Sequence, residues 1–214
     1  MSEILHPESL ALWYFRLNGV FTIPNFVLHP YGHGSAHTDV DIAGVRFPYR
    51  REFDPGDGGD DRWFQELTAK PCCIIAEVKT AQCAINGPWS NRDRGNVNRI
   101  MADLGLYSPE EAPTAAEALY ERGYYDGQSL FCSLFCVGNS KSERITDDYP
   151  HVPQQTWVDI ADWLYRRFRK YRERKADHNQ WDYVGKRIWT IAEEARNPTE
   201  FSEALRKAFS LPTV

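Results

Sequence analysis

Hydrophobic and polar positions alternate along this chain in two distinct rhythms, and the change of rhythm divides it. "PESLALWYFRLNG" (7–19) carries Leu10, Trp13, Tyr14 and Leu17 at helical spacing. Pro7 suits a first turn and Asn18-Gly19 a stop, so a helix is expected there. "VFTIPNFVL" (20–28) has strand composition, with Pro24 assigning it to a sheet edge or a bulge. "TDVDIAGVRF" (38–47) alternates, with Val40, Ile42 and Gly44 on one face and Asp39, Asp41, Ala43 and Val45 on the other. "CCIIAEVKT" (72–80) and "SLFCSLFCVG" (129–138) are apolar on both faces, the pattern of central strands.

Between these two strands, "NVNRIMADLGL" (96–106) reads as a helix with Val97, Ile100, Met101 and Leu104 inward. The connection 107–127 includes a short helix at 113–123, and "DPGDGGDD" (54–61) is a Gly/Asp loop. From Thr156 the pattern is helical throughout. Trp157, Ile160, Ala161, Leu164, Phe168 and Tyr171 form one buried stripe, with Arg166, Arg167, Arg169 and Lys170 expected on the opposite side. Asn197, Pro198 and Glu200 open a last helix with a capping-box start. The chain therefore divides into an α-β-β-β-α-β core over 1–140 and a helical extension over 150–214, packed on it.

Composition adds little until charge is mapped. The 214 residues are 42% hydrophobic and 26% charged, an ordinary globular balance. No apolar run approaches membrane-spanning length, and "MSEILHPESL" lacks a basic segment followed by an apolar one, so the expectation is a cytoplasmic protein with no membrane partner. Five cysteines, odd in number and mostly within apolar runs, read as buried free thiols. The net charge is −5, but "RRFRKYRERK" (166–175) holds seven Lys/Arg and one Glu, leaving −11 on the rest. Segregation of this kind makes the basic helix face a candidate phosphate contact.

The chemistry lies in "IIAEVKTAQC" (74–83). Period-two alternation brings Glu77 and Lys79 to one face at the end of a buried strand, where an acid and a base are costly unless they hold something in place. If the strand carrying Asp39 and Asp41 pairs beside it, Asp41, Glu77 and Lys79 converge. Two carboxylates form a hard oxygen site suited to Mg²⁺, with Mn²⁺ expected to substitute. A lysine beside them can hold the attacking water or counter charge developing on phosphorus.

An acid on the second strand and Glu-X-Lys on the third, within helix, three strands, helix and strand, resembles the PD-(D/E)XK (restriction-endonuclease-like) nuclease superfamily. The resemblance covers about residues 5–140. It implies Asp41 and Glu77 as metal ligands and Lys79 as the catalytic lysine. Val40 stands where the proline of the motif would be. Asp39, Gln82 and Glu8, the last an acid on the first helix, are additional candidates. The implied activity is Mg²⁺-dependent phosphodiester hydrolysis, with DNA favoured over RNA, in a microbial defence, restriction or repair setting. A homodimer or a partner protein would supply specificity. The alternative is a non-catalytic nucleic-acid-binding or assembly subunit on the same fold.

Other features are read more plainly. Counted from Asp54 as a calcium loop, the third position is Gly56 and the twelfth Gln65, which rules out an EF-hand. Cys132 and Cys136 lack a partner pair at zinc spacing and belong to the core. His33 and His37 flank the entry to the second strand, as loop histidines or as residues lining the cleft, and Gln82 and Asn86 are expected to bond locally or to touch substrate.

Overall fold

Pro7 at the first helical turn starts α1 (Pro7–Leu17), and Gly19, at φ +79°, turns the chain out of it into a strand. The computed structural model describes residues 5–28, 38–50, 59–67, 69–172 and 181–212. His33, His37, residues 54–58 of the Gly/Asp loop and residues 173–175 of the basic run lie outside them. The strands are β1 (Val20–Leu28), β2 (Thr38–Arg46), β3 (Cys72–Val78), β4 (Tyr124–Asp126), β5 (Phe131–Gly138) and β6 (Gln154–Thr156). After α1, the helices are α2 (Arg62–Glu66), α3 (Gly87–Ser90), α4 (Asn96–Asp103), α5 (Ala112–Arg122), α6 (Glu143–Asp148), α7 (Trp157–Lys170), α8 (Tyr183–Glu194) and α9 (Pro198–Ala208).

The result is an α/β architecture with a mixed open sheet between helical layers. The sheet order is β1-β2-β3-β5-β4, with β6 also on β5. The first three strands run antiparallel, whereas β3 and β5 are parallel, joined by the long connection that carries α3 to α5. β1 lies at the edge, one of the two places that Pro24 allowed. β3 is buried at all its positions, and β5 at all but the first, because helices cover both faces.

Alternation along β3 divides the interior in two. Ile74, Ala76 and Val78 join Leu10, Phe15, Leu164, Ile188 and Phe201 in a core under α1, α7, α8 and α9. Cys73 and Ile75 join Val97, Ile100, Leu119 and Leu134 in a second core under α4 and α5. The C-terminal helices are thus continuous with the first core. α7 buries every member of its expected stripe, and its N-terminus carries a full capping box between Thr156 and Asp159. Asn197 caps α9, but Glu200 reaches back to the backbone N–H of Arg196, one residue earlier than a standard box. Five free cysteines are buried, as composition suggested. Among the described residues, no helix is long and apolar enough to cross a membrane.

β4 and β6, three residues each, are too short to display a period and go undetected in the sequence. Short α2, α3 and α6 escape for the same reason.

Candidate active site

The ladder between β2 and β3 runs from Arg46↔Cys72 to Ile42↔Ala76 and stops. Asp41 and Glu77 are the next residues of the two strands past that end, and the two carboxyls lie within electrostatic reach of each other. There the Val78 N–H donates to Asp41 Oδ2 at 2.7 Å, a side chain taking up a main-chain donor where the ladder ends. β3 stays paired on its other side: Glu77 aligns with Cys136, and the Lys79 N–H donates to the Val137 carbonyl at 2.8 Å. The two acids therefore lie where the β2–β3 ladder has ended and β5 is still paired with β3.

Glu77 is 5% exposed and its carboxylate receives three side-chain donors. Lys79 Nζ and Asn86 Nδ2 each donate to Oε2 at 2.6 Å, and Trp89 Nε1 donates to Oε1. The Lys79 side chain retains 25% exposure and forms the outer part of the site. Its main chain is fixed by Trp157, the first residue of α7, whose indole N–H donates to the Lys79 carbonyl at 3.2 Å. Burial pushes the Glu77 carboxyl above its ordinary range; Lys79 opposes this and the Asp41 charge adds to it. Asp41 is likewise raised, first by burial, with the Val78 N–H and Lys79 opposing. Glu8 and exposed Asp39 add to the rise, so both lie within electrostatic reach of Asp41.

Gln82 does not join this group. It bridges to Ser140 through the backbone, and its amide donates to the Lys141 carbonyl at 3.1 Å. Asn86 does join. Trp89 is the member that sequence reading missed, because α3 is four residues long and too short for periodicity to mark a buried face.

Among the described residues no three His, Cys, Asp or Glu side chains gather as a complete metal-ligand set. Two carboxylates still fit a hard cation. Among the described residues no donor reaches Asp41 Oδ1, and Glu77 Oε1 accepts one bond where a carboxylate oxygen has two lone-pair sites. Mg²⁺ is commonly held by one or two carboxylates, with waters and substrate phosphate completing its octahedron.

The basic helix face departs from expectation at one residue. Arg167 is 3% exposed, stacks between Trp163 and Tyr171, and reaches the Gly59 carbonyl and Asp60. Its position, seven residues after Ile160 and four after Trp163, falls inside the buried stripe rather than opposite it. Arg166, Arg169 and Lys170 are exposed, with Arg166 on Asp162 at 3.0 Å. Their location follows from α7: its first residue, Trp157, meets the Lys79 carbonyl, and Arg166 to Lys170 stand nine to thirteen residues further along the helix, about 14–20 Å at 1.5 Å per residue.

No protein-family model matches the chain, and comparisons with curated proteins and with solved structures return no match.

Proposed function

We propose that this protein is a metal-dependent nuclease with a restriction-endonuclease-like core, hydrolysing phosphodiester bonds with DNA as the favoured substrate. One observation carries the reading: past the end of the β2–β3 ladder, Asp41 accepts from the Val78 N–H and lies within electrostatic reach of Glu77, with Lys79 Nζ at 2.6 Å from Glu77. Supporting it is the order of elements around them, namely α1, three antiparallel strands, α4 and α5, then β5 parallel to β3. Two acids against one ammonium leave a net negative charge in a partly dry site, a setting that favours a divalent cation. Asp41 and Glu77 would hold Mg²⁺ or Mn²⁺, which when bound would lower the pKa of water and polarise the phosphate.

The remaining steps fall to this chain. Lys79, exposed at its tip and fixed at its main chain by Trp157, orients the attacking water and donates to the phosphoryl oxygen as charge builds there. Burial around Glu77 keeps competing water out and strengthens these interactions. Exposed Arg166, Arg169 and Lys170 lie about five base-pair steps of 3.4 Å away, a span that a bound duplex can cover.

A second reading, a binding or assembly subunit without turnover, draws on the three donors that already occupy Glu77. Supercoiled plasmid, single-stranded DNA and RNA incubated with Mg²⁺, Mn²⁺ or EDTA decide between them. Metal-dependent cleavage is expected, abolished by EDTA. In Lys79→Ala it should fall by at least about 100-fold, with unchanged thermal unfolding, because the lysine serves the transition state. Cleavage at the wild-type rate in that variant overturns the assignment. Metal-independent binding without cleavage of any substrate favours the second reading.

A further inference from the structure

Lys79 reaches Glu77 from the same strand, but the other two donors come from a separate segment. Asn86 is the N-cap residue of α3 and Trp89 its third residue, so one turn delivers a donor to each carboxylate oxygen. The turn is rigidly held. The Trp89 N–H donates to the Asn86 carbonyl at 2.9 Å, Asn96 Nδ2 donates to the Pro88 carbonyl at 3.3 Å, and Trp89 is 0% exposed within the α4–α5 core.

Both donors are neutral. Arginine or lysine in their place would cancel the remaining negative charge of the Asp41–Glu77–Lys79 group and repel a cation. An amide and an indole orient the carboxylate without adding charge. They also decide which oxygen is left. Oε2 accepts from Lys79 and Asn86, which uses both of its lone-pair sites, whereas Oε1 accepts only from Trp89.

We propose that Asn86 and Trp89 are positioning residues that make Glu77 a one-oxygen ligand, and so select small octahedral cations such as Mg²⁺ and Mn²⁺ against Ca²⁺. The inference rests on the metal-site reading above. Ca²⁺ takes six to eight oxygens and commonly engages a carboxylate through both, which a clamped Glu77 cannot offer. Hydrogen-bonding partners of this kind typically alter metal affinity by about 10–100-fold when removed.

Calorimetric titration of Mn²⁺ and of Ca²⁺, each alone, into wild type, Trp89→Phe and Asn86→Ala tests it. Phenylalanine keeps an aromatic ring in the core and removes the N–H. Asn86 is half-buried, so Asn86→Ala keeps the test open if the Trp89 variant does not fold. Mn²⁺ affinity is expected to fall by about tenfold in either variant, and Ca²⁺ affinity to hold or rise, so that the Mn²⁺/Ca²⁺ ratio drops. A merely structural role would weaken both metals together and leave the ratio unchanged, which overturns the proposal. Wild-type protein that binds neither cation overturns the metal-site reading itself, and the two failures are thereby told apart.

Discussion

Two buried charge networks sit at opposite ends of the same sheet, built from the same kinds of residue with opposite balances. At the start of β3, Asp60 meets Arg46 at 2.8 Å, Arg50, and Arg167 at 3.6 Å. These guanidiniums also donate to the carbonyls of Asn18, Leu67, Leu17 and Gly59. The network ties the end of α1, the end of β2, the segment before α2 and the last turn of α7 to one point. At the other end of β3 two carboxylates share one ammonium, and both carboxyl pKa values are raised by burial. An over-supplied acid makes a joint between segments distant in sequence. An under-supplied pair of acids leaves carboxylate oxygens with fewer donors than they can accept, as the proposed metal site requires.

The sharpest way to break this comparison is to remove the acid at the structural end. Asp60→Ala leaves Arg46, 4% exposed, without its carboxylate, and losing one partner of a buried pair costs about 3–5 kcal/mol. Urea unfolding should report that loss, while cleavage per folded molecule stays as in wild type. A loss under about 1 kcal/mol would show that the network is not the joint described here.

At the other end, Asp41→Asn should act in the opposite direction. Asparagine can still accept from the Val78 N–H but carries no charge. A carboxyl raised in the folded state contributes stability that is full below its unfolded pKa and lost as pH rises through the folded value. Wild type therefore loses stability upward from the ordinary value of 3.8, and the variant does not. Its melting temperature should exceed that of wild type by about 1–3 °C at pH 7 and match it near pH 4. Mn²⁺ affinity should fall together with activity. An unchanged Mn²⁺ isotherm would remove Asp41 as a ligand.

The smallest effect concerns the exposed basic face. Replacing Arg166, Arg169 and Lys170 with Gln, and leaving buried Arg167 alone, should flatten the log–log salt dependence of duplex binding by about 0.9 for each phosphate no longer neutralised. Because the face lies nine or more residues along α7 from the end that meets Lys79, a fragment of about four base pairs seated on the acid pair should bind both proteins alike. Equal slopes on a 20-base-pair duplex, measured by anisotropy in Ca²⁺ to suppress cleavage, would make the face solvated surface only.

What the sequence determined by itself is whatever repeats over one element. Period two brought Glu77 and Lys79 to one face and marked β3 and β5 as central. Period 3.6 identified α1, α4 and the stripe of α7, and Pro24 marked β1 as an edge. Tertiary structure decided what depends on where elements stop and what they lie against. That Asp41 accepts from the Val78 N–H depends on where the β2–β3 ladder stops, at Ile42↔Ala76. That Trp89 grips Glu77 depends on a four-residue helix with no period to read. That Arg167 turns inward depends on Asp60 lying ready to receive it 107 residues earlier. Local periodicity is set by backbone geometry within a few residues, whereas these three interactions join segments that meet only once the sheet and its helical layers have packed.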